Sequence, residues 1–352
     1  MQKKLIALAV AGLVSAPAFA QSNVTIFGII DAAVESAKFS DAAGNLTRMI
    51  SGGNNTNRLG FRGTEDLGGG LAANFILETQ PTPDNGTNSA GANLTTGASQ
   101  FWNRQAFVGL SSKNWGSVNF GRQYTPWFNA TAAGDVFFVA GSGSSYTLQA
   151  ADTRMNNAIR WDSVNMSGFS AAFAVGLGQD ADATGVEGTT AANKNLGKLW
   201  GLKLSYANGP LSVNYGYENR RATVGPDSDL KSNQLNGSYD FGAAKVGLIY
   251  NTNKTTGLDD QVWGFTIVVP VMGSDTIKMG YTSLNDKLPA NKDAKLLAFG
   301  YEHPMSKRTS LYATYARMTN DATANKSFLS GGGAVAAGFD PSSLQGGIKH
   351  IF

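Results

Sequence analysis

Four arginines carry the first chemical signal in this 352-residue chain. Arg58 and Arg62 alternate with Leu59 and Phe61. Arg154 and Arg160 share parity with Asn156, Ala158 and Asp162, while Ile159 and Trp161 take the other side. In a strand, a period of two sends such sets to opposite faces. Guanidiniums stay charged at any relevant pH, so they do not serve as acids or bases. Gathered on one polar face, they would repel one another unless solvated or paired. They would attract anions and orient dipolar solutes rather than break bonds. Taken singly, each is equally compatible with an ordinary wetted polar wall. Bond-making chemistry is poorly provided for. His303 and His350 are the two histidines, too few for a Ser/His/Asp set or a metal centre to stand out. Gly68-Gly69-Gly70 is followed by no Lys-Ser/Thr pair and reads as a turn, not a phosphate loop. The absence of cysteine excludes disulfides and thiolate metal sites. No cofactor, metal or nucleic-acid partner is expected; the formal net charge of +3 drops to +1 without Lys3 and Lys4.

The elements that must hold these arginines are alternating segments of roughly ten residues, the length of tilted membrane strands. Leu211, Val213, Tyr215 and Tyr217 oppose Ser212, Asn214 and Glu218. Ile277, Met279 and Tyr281 oppose Lys278 and Thr282. The same alternation runs from Leu344 to the final Phe352, as expected of a strand that closes a sheet on itself. At the other end, two lysines precede the apolar run Leu5 to Val14 and the small-x-small site Ala18-Phe19-Ala20. Residues 1–20 thus read as a secretory signal peptide, with an apolar run too short to cross about 30 Å of hydrocarbon. No later stretch resembles a spanning helix, so membrane insertion requires a closed barrel. The charged fraction, 15%, sits well below the roughly 25% of soluble domains. Short turns such as Asn208-Gly209 and Met272-Gly273-Ser274 alternate with long polar stretches: Phe39 to Asn57, Pro81 to Gln100, Tyr124 to Thr153, Gln179 to Asn195 and Asn320 to Ser342. A soluble sandwich would bury the apolar face against a second sheet. The leader, the closing strand and the connection lengths together favour an all-β, sixteen-stranded antiparallel transmembrane β-barrel over residues 21–352, in a bacterial outer membrane.

Four blocks carry a family resemblance. They are Gln21 to Asp31 (QSNVTIFGIID), Arg58 to Gly68 (RLGFRGTEDLG), Asn103 to Leu110 with Gly116 to Arg122, and Gly347 to Phe352. In this order they resemble Gram-negative general porins, especially those of beta-proteobacteria. The resemblance implies a trimeric barrel whose third loop, here Tyr124 to about Asn156, folds inward. Acids on that loop would face basic residues on the wall. Trp127 stands where enteric relatives carry the acid of a Pro-Glu-Phe motif, which leaves Asp135 within the loop and Asp152 at its exit. Arg104 shares parity with Ala106, Val108 and Leu110; the resemblance alone places it inside, with Arg58, Arg62, Arg154 and Arg160. Arg122 shares the outward parity of Val118 and Phe120, a wall the family uses for the trimer contact. Terminal Phe352 would be read by the outer-membrane assembly machinery. The implied partners are two further copies in a homotrimer, outer-membrane lipid and lipopolysaccharide, and small hydrophilic or anionic solutes.

The leading expectation is a passive, water-filled channel preferring anions. A substrate-specific anion channel would use the same residues as binding sites and would saturate. A plugging or very long third loop would favour a structural or adhesive barrel that uses its long loops, whereas a third loop of roughly thirty residues suits a constriction.

Overall fold

The computed structural model describes residues 23–40, 44–88, 100–131, 133–137, 140–178, 197–221, 229–329 and 335–352. The expected signal peptide at 1–20 and the long stretch Gln179 to Asn195 lie outside the described residues.

Strands follow in order: β1 (Asn23–Lys38), β2 (Asn45–Ser51), β3 (Arg58–Gly68), β4 (Leu71–Thr79), the short hairpin β5 (Pro81–Thr82) and β6 (Thr87–Asn88), β7 (Gln105–Ser112) and β8 (Gly116–Tyr124). After the third loop come β9 (Arg154–Asp162), β10 (Phe169–Leu177), β11 (Lys198–Asn208), β12 (Leu211–Arg221), β13 (Asp229–Asp240), β14 (Lys245–Thr255), β15 (Leu258–Val271), β16 (Asp275–Asp286), β17 (Ala294–Pro304), β18 (Thr309–Asn320) and β19 (Ser342–Ile351). Each pairs antiparallel with its neighbour, and β19 pairs with β1 from Ile29↔Ile351 to Lys38↔Ser342, which closes the sheet. Segments β2 and β3 lie end to end along β1, so seventeen segments fill sixteen barrel positions. Phe352 continues the closure beyond β19: Gly28 N donates to its carbonyl at 3.0 Å and its N donates to Gly28 O at 3.1 Å.

The alternation read from sequence becomes two chemically distinct walls. Leu235, Leu248 and Phe265 stand on the outer surface, 46–60% exposed in the isolated chain. Their neighbours Gln234, Asn236, Asn251 and Asn253 turn inward and are buried. Aromatic pairs flank the apolar band: Trp200–Tyr217 and Tyr250–Trp263 at the long-connection end, Phe169–Tyr206 and Tyr239–Phe241 near the short turns. Such girdles sit where hydrocarbon meets headgroups.

Two expectations are corrected. The stretch Phe39 to Asn57 is not one loop, because it contains β2, whose residues pair with Ala32 to Lys38. The long-connection end is also uneven: β14 and β15 are joined by Thr256 and Gly257 alone.

The third loop, residues 125–153, folds inside the barrel. Its helix α1 (Pro126–Thr131) starts where the sequence supplies both start signals. Thr125 Oγ1 accepts from Phe128 N at 3.0 Å as the N-cap, and Pro126 needs no N–H partner at the first helical position. The helix docks on the inner wall: Gln234 donates to Trp127 O, and Asn236 donates to Ala130 O at 3.2 Å. Farther along, Phe137 and Leu148 join Val262, Leu284, Leu296, Met318 and Phe328 in an apolar core within the lumen. Burying two such side chains contributes about 3–6 kcal/mol, which fixes the loop against β15–β18.

Candidate functional site

One cavity of about 910 Å³ lies between the third loop and the wall built by β1–β3, β8 and β9. Four guanidiniums border it: Arg48, Arg58, Arg104 and Arg154. Arg58 opens β3 and points inward by its register with Ile29. Arg104 lies just before β7, where strand parity no longer governs its direction, and is 2% exposed. Its Nε sits 3.1 Å from Glu78 Oε1. Its Nη1 donates to Thr56 Oγ1 at 3.2 Å and Gln80 Oε1 at 3.1 Å, and its Nη2 donates to the Tyr124 hydroxyl. Arg58 Nε lies 3.9 Å from the same carboxylate. Arg48, on β2, is held by Glu35 at 2.7 Å.

Arg154 reaches the cavity for a reason other than alternation. Asn157 has φ 48°, and the pairing with β8 slips between Gly121 and Gln123. The bulge puts Met155 and Ala158 together in one buried cluster, so parity cannot be carried from Arg160 back to Arg154. Arg154 is the first residue of β9, and its guanidinium lies 4.8 Å over the Tyr124 ring. No carboxylate pairs with it among the described residues.

The loop faces these cations with aromatic rings. Tyr124 and Phe128 stack at 5.0 Å, and Tyr146 meets Phe128 edge-on at 5.7 Å. Burial pushes the Tyr146 hydroxyl's pKa up, so it stays a neutral donor to Ala151 O at 2.8 Å.

The two loop acids are corrections. Asp135 does not face the cavity. It is 2% exposed and accepts from Phe137 N, Ser144 Oγ and both the N and Oγ of Ser145, tying the loop's turn together. Burial raises its pKa, and those four donors offset the rise only in part. Asp152 is also buried and pairs with Arg220 at 2.6 Å behind the loop. Trp127, which stands at the family's acidic position, is fully buried against the wall. The carboxylate that does border the cavity is Asp84, which accepts from Ser51 Oγ at 2.5 Å.

Two of the expected basic residues lie elsewhere. Arg62 points inward beside Thr25, four residues nearer the short turns than Arg58, roughly 13 Å along the strand. Its guanidinium covers Phe27 at 5.1 Å and borders a separate recess with Asn74 and Asn119. Arg160 is inward but engaged: Asp162 holds it at 2.5 and 2.8 Å, and Nη1 donates to Tyr124 O at 2.8 Å. Arg122 has the outward register of Phe120, and its guanidinium bends onto Asn103 O and Asn156 Oδ1.

Sequence reasoning missed Arg48, Glu35, Glu78 and Thr56. Glu35 and Glu78 were detectable, since each alternates with apolar neighbours, Val34 and Leu77. Arg48 was hidden by reading its segment as a loop.

The Gram-negative porin family profile matches residues 7–323. Outer membrane porin protein 32 of Delftia acidovorans is 35% identical over the full length of both chains. An outer membrane porin protein of Bordetella pertussis is 30% identical, also over both full lengths. Among solved structures, the anion-selective porin from Comamonas acidovorans superposes with a TM-score of 0.81 at 30% identity, covering 94% of this chain and all of that one. With sequence and barrel agreeing along the chain, the protein belongs to the Gram-negative porin family and is a channel of the outer membrane.

Proposed function

We propose that this porin passes small hydrophilic solutes by passive diffusion and prefers anions, with the narrow cavity at Arg48, Arg58, Arg104 and Arg154 as its selective segment. The observation that carries the reading is an imbalance of exposure. Arg48, Arg58 and Arg154 reach the water column half-buried, while Glu35, paired with Arg48, and Glu78, paired with Arg58 and Arg104, are hidden at 0% and 2% exposure; Arg104 borders the cavity but lies as deep as its carboxylate. Among the described residues, only Asp84 presents a carboxylate beside them. A passing ion therefore meets cations in front and anions behind, and the low-dielectric wall focuses that field. The anion-selective porin from Comamonas acidovorans supports the same reading by likeness.

The remaining assignments are part of the proposal. Residues 1–20 direct export. Phe352 and the closing strand meet the assembly machinery. The wall bearing Val24, Ile26, Val108 and Phe120, with Arg122 at its edge, forms the homotrimer contact; these apolar side chains are about half exposed or more in the single chain. Lys231 and Lys254 sit directly opposite each other on the outer face above Tyr250. Like charges so placed are unfavourable unless an anion is near; Asp259 supplies one to Lys254 at 2.7 Å, which leaves Lys231 to meet the phosphates of outer-leaflet lipid or lipopolysaccharide.

Proteoliposome flux tests the function. Uptake of a small monocarboxylate is expected to rise linearly with concentration and to outpace a cation of equal size. Saturation would favour a substrate-specific anion channel instead, and faster cation uptake would refute the electrostatic reading.

A further inference from the structure

One barrel strand is broken beside the constriction. Between β2 and β3, residues 52–57 leave the ladder, and Gly52, Asn55 and Thr56 border the cavity. Between Ala32↔Ser51 and Ile29↔Arg58, β1 offers only Ile30 and Asp31 to these six residues, so most of their backbone groups have no ladder place and something else must satisfy them. Asp31 does so. It faces the lumen opposite Lys349 on β19 and is fully buried. Its Oδ1 accepts from Gly53 N at 3.2 Å and from the Tyr312 hydroxyl; its Oδ2 accepts from Asn54 N at 3.0 Å and Asn55 N at 2.6 Å. Its backbone N donates to Asn57 Oδ1 at 2.5 Å, and its carbonyl accepts from Gly52 N at 2.9 Å. A carboxylate used so fully by the protein's own backbone has nothing left to offer a solute.

The segment is gripped from two further sides. A Cβ on Gly53 would lie 2.5 Å from the Tyr312 hydroxyl, so only glycine fits beneath the ring. A Cβ on Gly141, in the third loop, would lie 1.9 Å from Gly53 O, so loop and segment meet backbone to backbone. At the far end, Thr56 Oγ1 accepts from Arg104 Nη1 at 3.2 Å and Arg58 Nη2 at 3.5 Å.

We propose that Asp31 and Tyr312 latch residues 52–57 inside the barrel as a second wall of the constriction. This wall sets the pore's width and, through Thr56, the placement of the Arg58 and Arg104 guanidiniums. Asp31 is thus a positioning residue for selectivity, and the proposal rests on the channel reading above.

Full-length protein in planar bilayers tests it through Asp31→Asn, Tyr312→Phe and Thr56→Val. As a mere lumen charge, Asp31 would oppose anions, and Asp31→Asn would strengthen anion preference at constant conductance. The latch requires the reverse. Asn presents an N–H₂ to backbone donors, so the wall loosens, conductance rises by about 1.5-fold as the narrowest section widens, and anion preference falls. Tyr312→Phe changes no charge and should shift both quantities the same way, by less. Thr56→Val should lower anion preference at nearly constant conductance. Wild-type conductance and reversal potential in heat-modifiable Tyr312→Phe and Asp31→Asn would overturn the latch. Should Asp31→Asn not assemble, Tyr312→Phe, which keeps the ring, decides. Conductance is read apart from selectivity, so a wild-type channel of unexpected ionic preference would still leave the latch judged by conductance.

Discussion

Arg104→Ser is expected to shift the reversal potential toward cations more than any other single lumen substitution, while Lys278→Ser leaves it nearly unchanged. The difference lies in what each removal uncovers. Arg104 is buried against Glu78 at 3.1 Å, and among the described residues that carboxylate has only Arg58, at 3.9 Å, as a second cationic neighbour. Removing Arg104 strips a positive charge from the cavity and unmasks a negative one in the same few ångströms. Lys278 and Lys349 instead share Glu302, at 2.7 and 2.6 Å. Losing one leaves a balanced pair, on a wall that does not border the cavity. Breaking a buried pair from one side costs about 3–5 kcal/mol, so Arg104→Ser should also lower the temperature at which the folded barrel unfolds on gels. Arg154→Ser makes the comparison cleaner, since it removes a cavity cation that has no carboxylate partner among the described residues. It should weaken anion preference with little loss of stability. Equal shifts from Arg104→Ser and Lys278→Ser would mean that no focused cluster exists.

Deletion of Phe352 is expected to lower the yield of inserted protein sharply and to leave the conductance of inserted molecules unchanged. The residue completes the seam: two backbone hydrogen bonds tie it to Gly28 on β1. Its ring lies over Gly28 so closely that a Cβ there would sit 2.4 Å from the ring's tip. Loss of these contacts opens the end of the closing ladder, where unpaired strand groups in hydrocarbon are costly. The cavity arginines are untouched, so the pore of a molecule that does close should be the same. Heat-modifiable protein in outer-membrane fractions measures the yield, and single-channel recording measures the pore. Wild-type yield would contradict the role, as would altered conductance.

Much of the fold was legible because its signal is periodic. Alternation placed Arg58 correctly, and the short turns marked one rim of the barrel. Periodicity failed where the backbone departs from it. Asn157 adopts a positive φ, so the parity that grouped Arg154 with Arg160 joined two residues with different roles: one borders the cavity, the other is held by Asp162. Arg104 precedes its strand, where period-two logic has no purchase; family resemblance supplied its direction. Asp135 and Asp152 were judged by charge alone, but a loop carboxylate can equally bind its own backbone, and Asp135 does. The Gly52-Gly53-Asn54-Asn55 run did mark a break in the strand. Nothing local in the sequence said that the break turns inward. That depends on Asp31 and Tyr312, which are 281 residues apart and meet only when the barrel closes.

Beside the third loop, half-buried guanidiniums stand in front of buried carboxylates. A planar-bilayer reversal potential across a potassium chloride gradient tests this arrangement most directly. The expected sign is that of a channel carrying chloride in preference to potassium; a potassium-selective sign would contradict the anion preference assigned to these arginines.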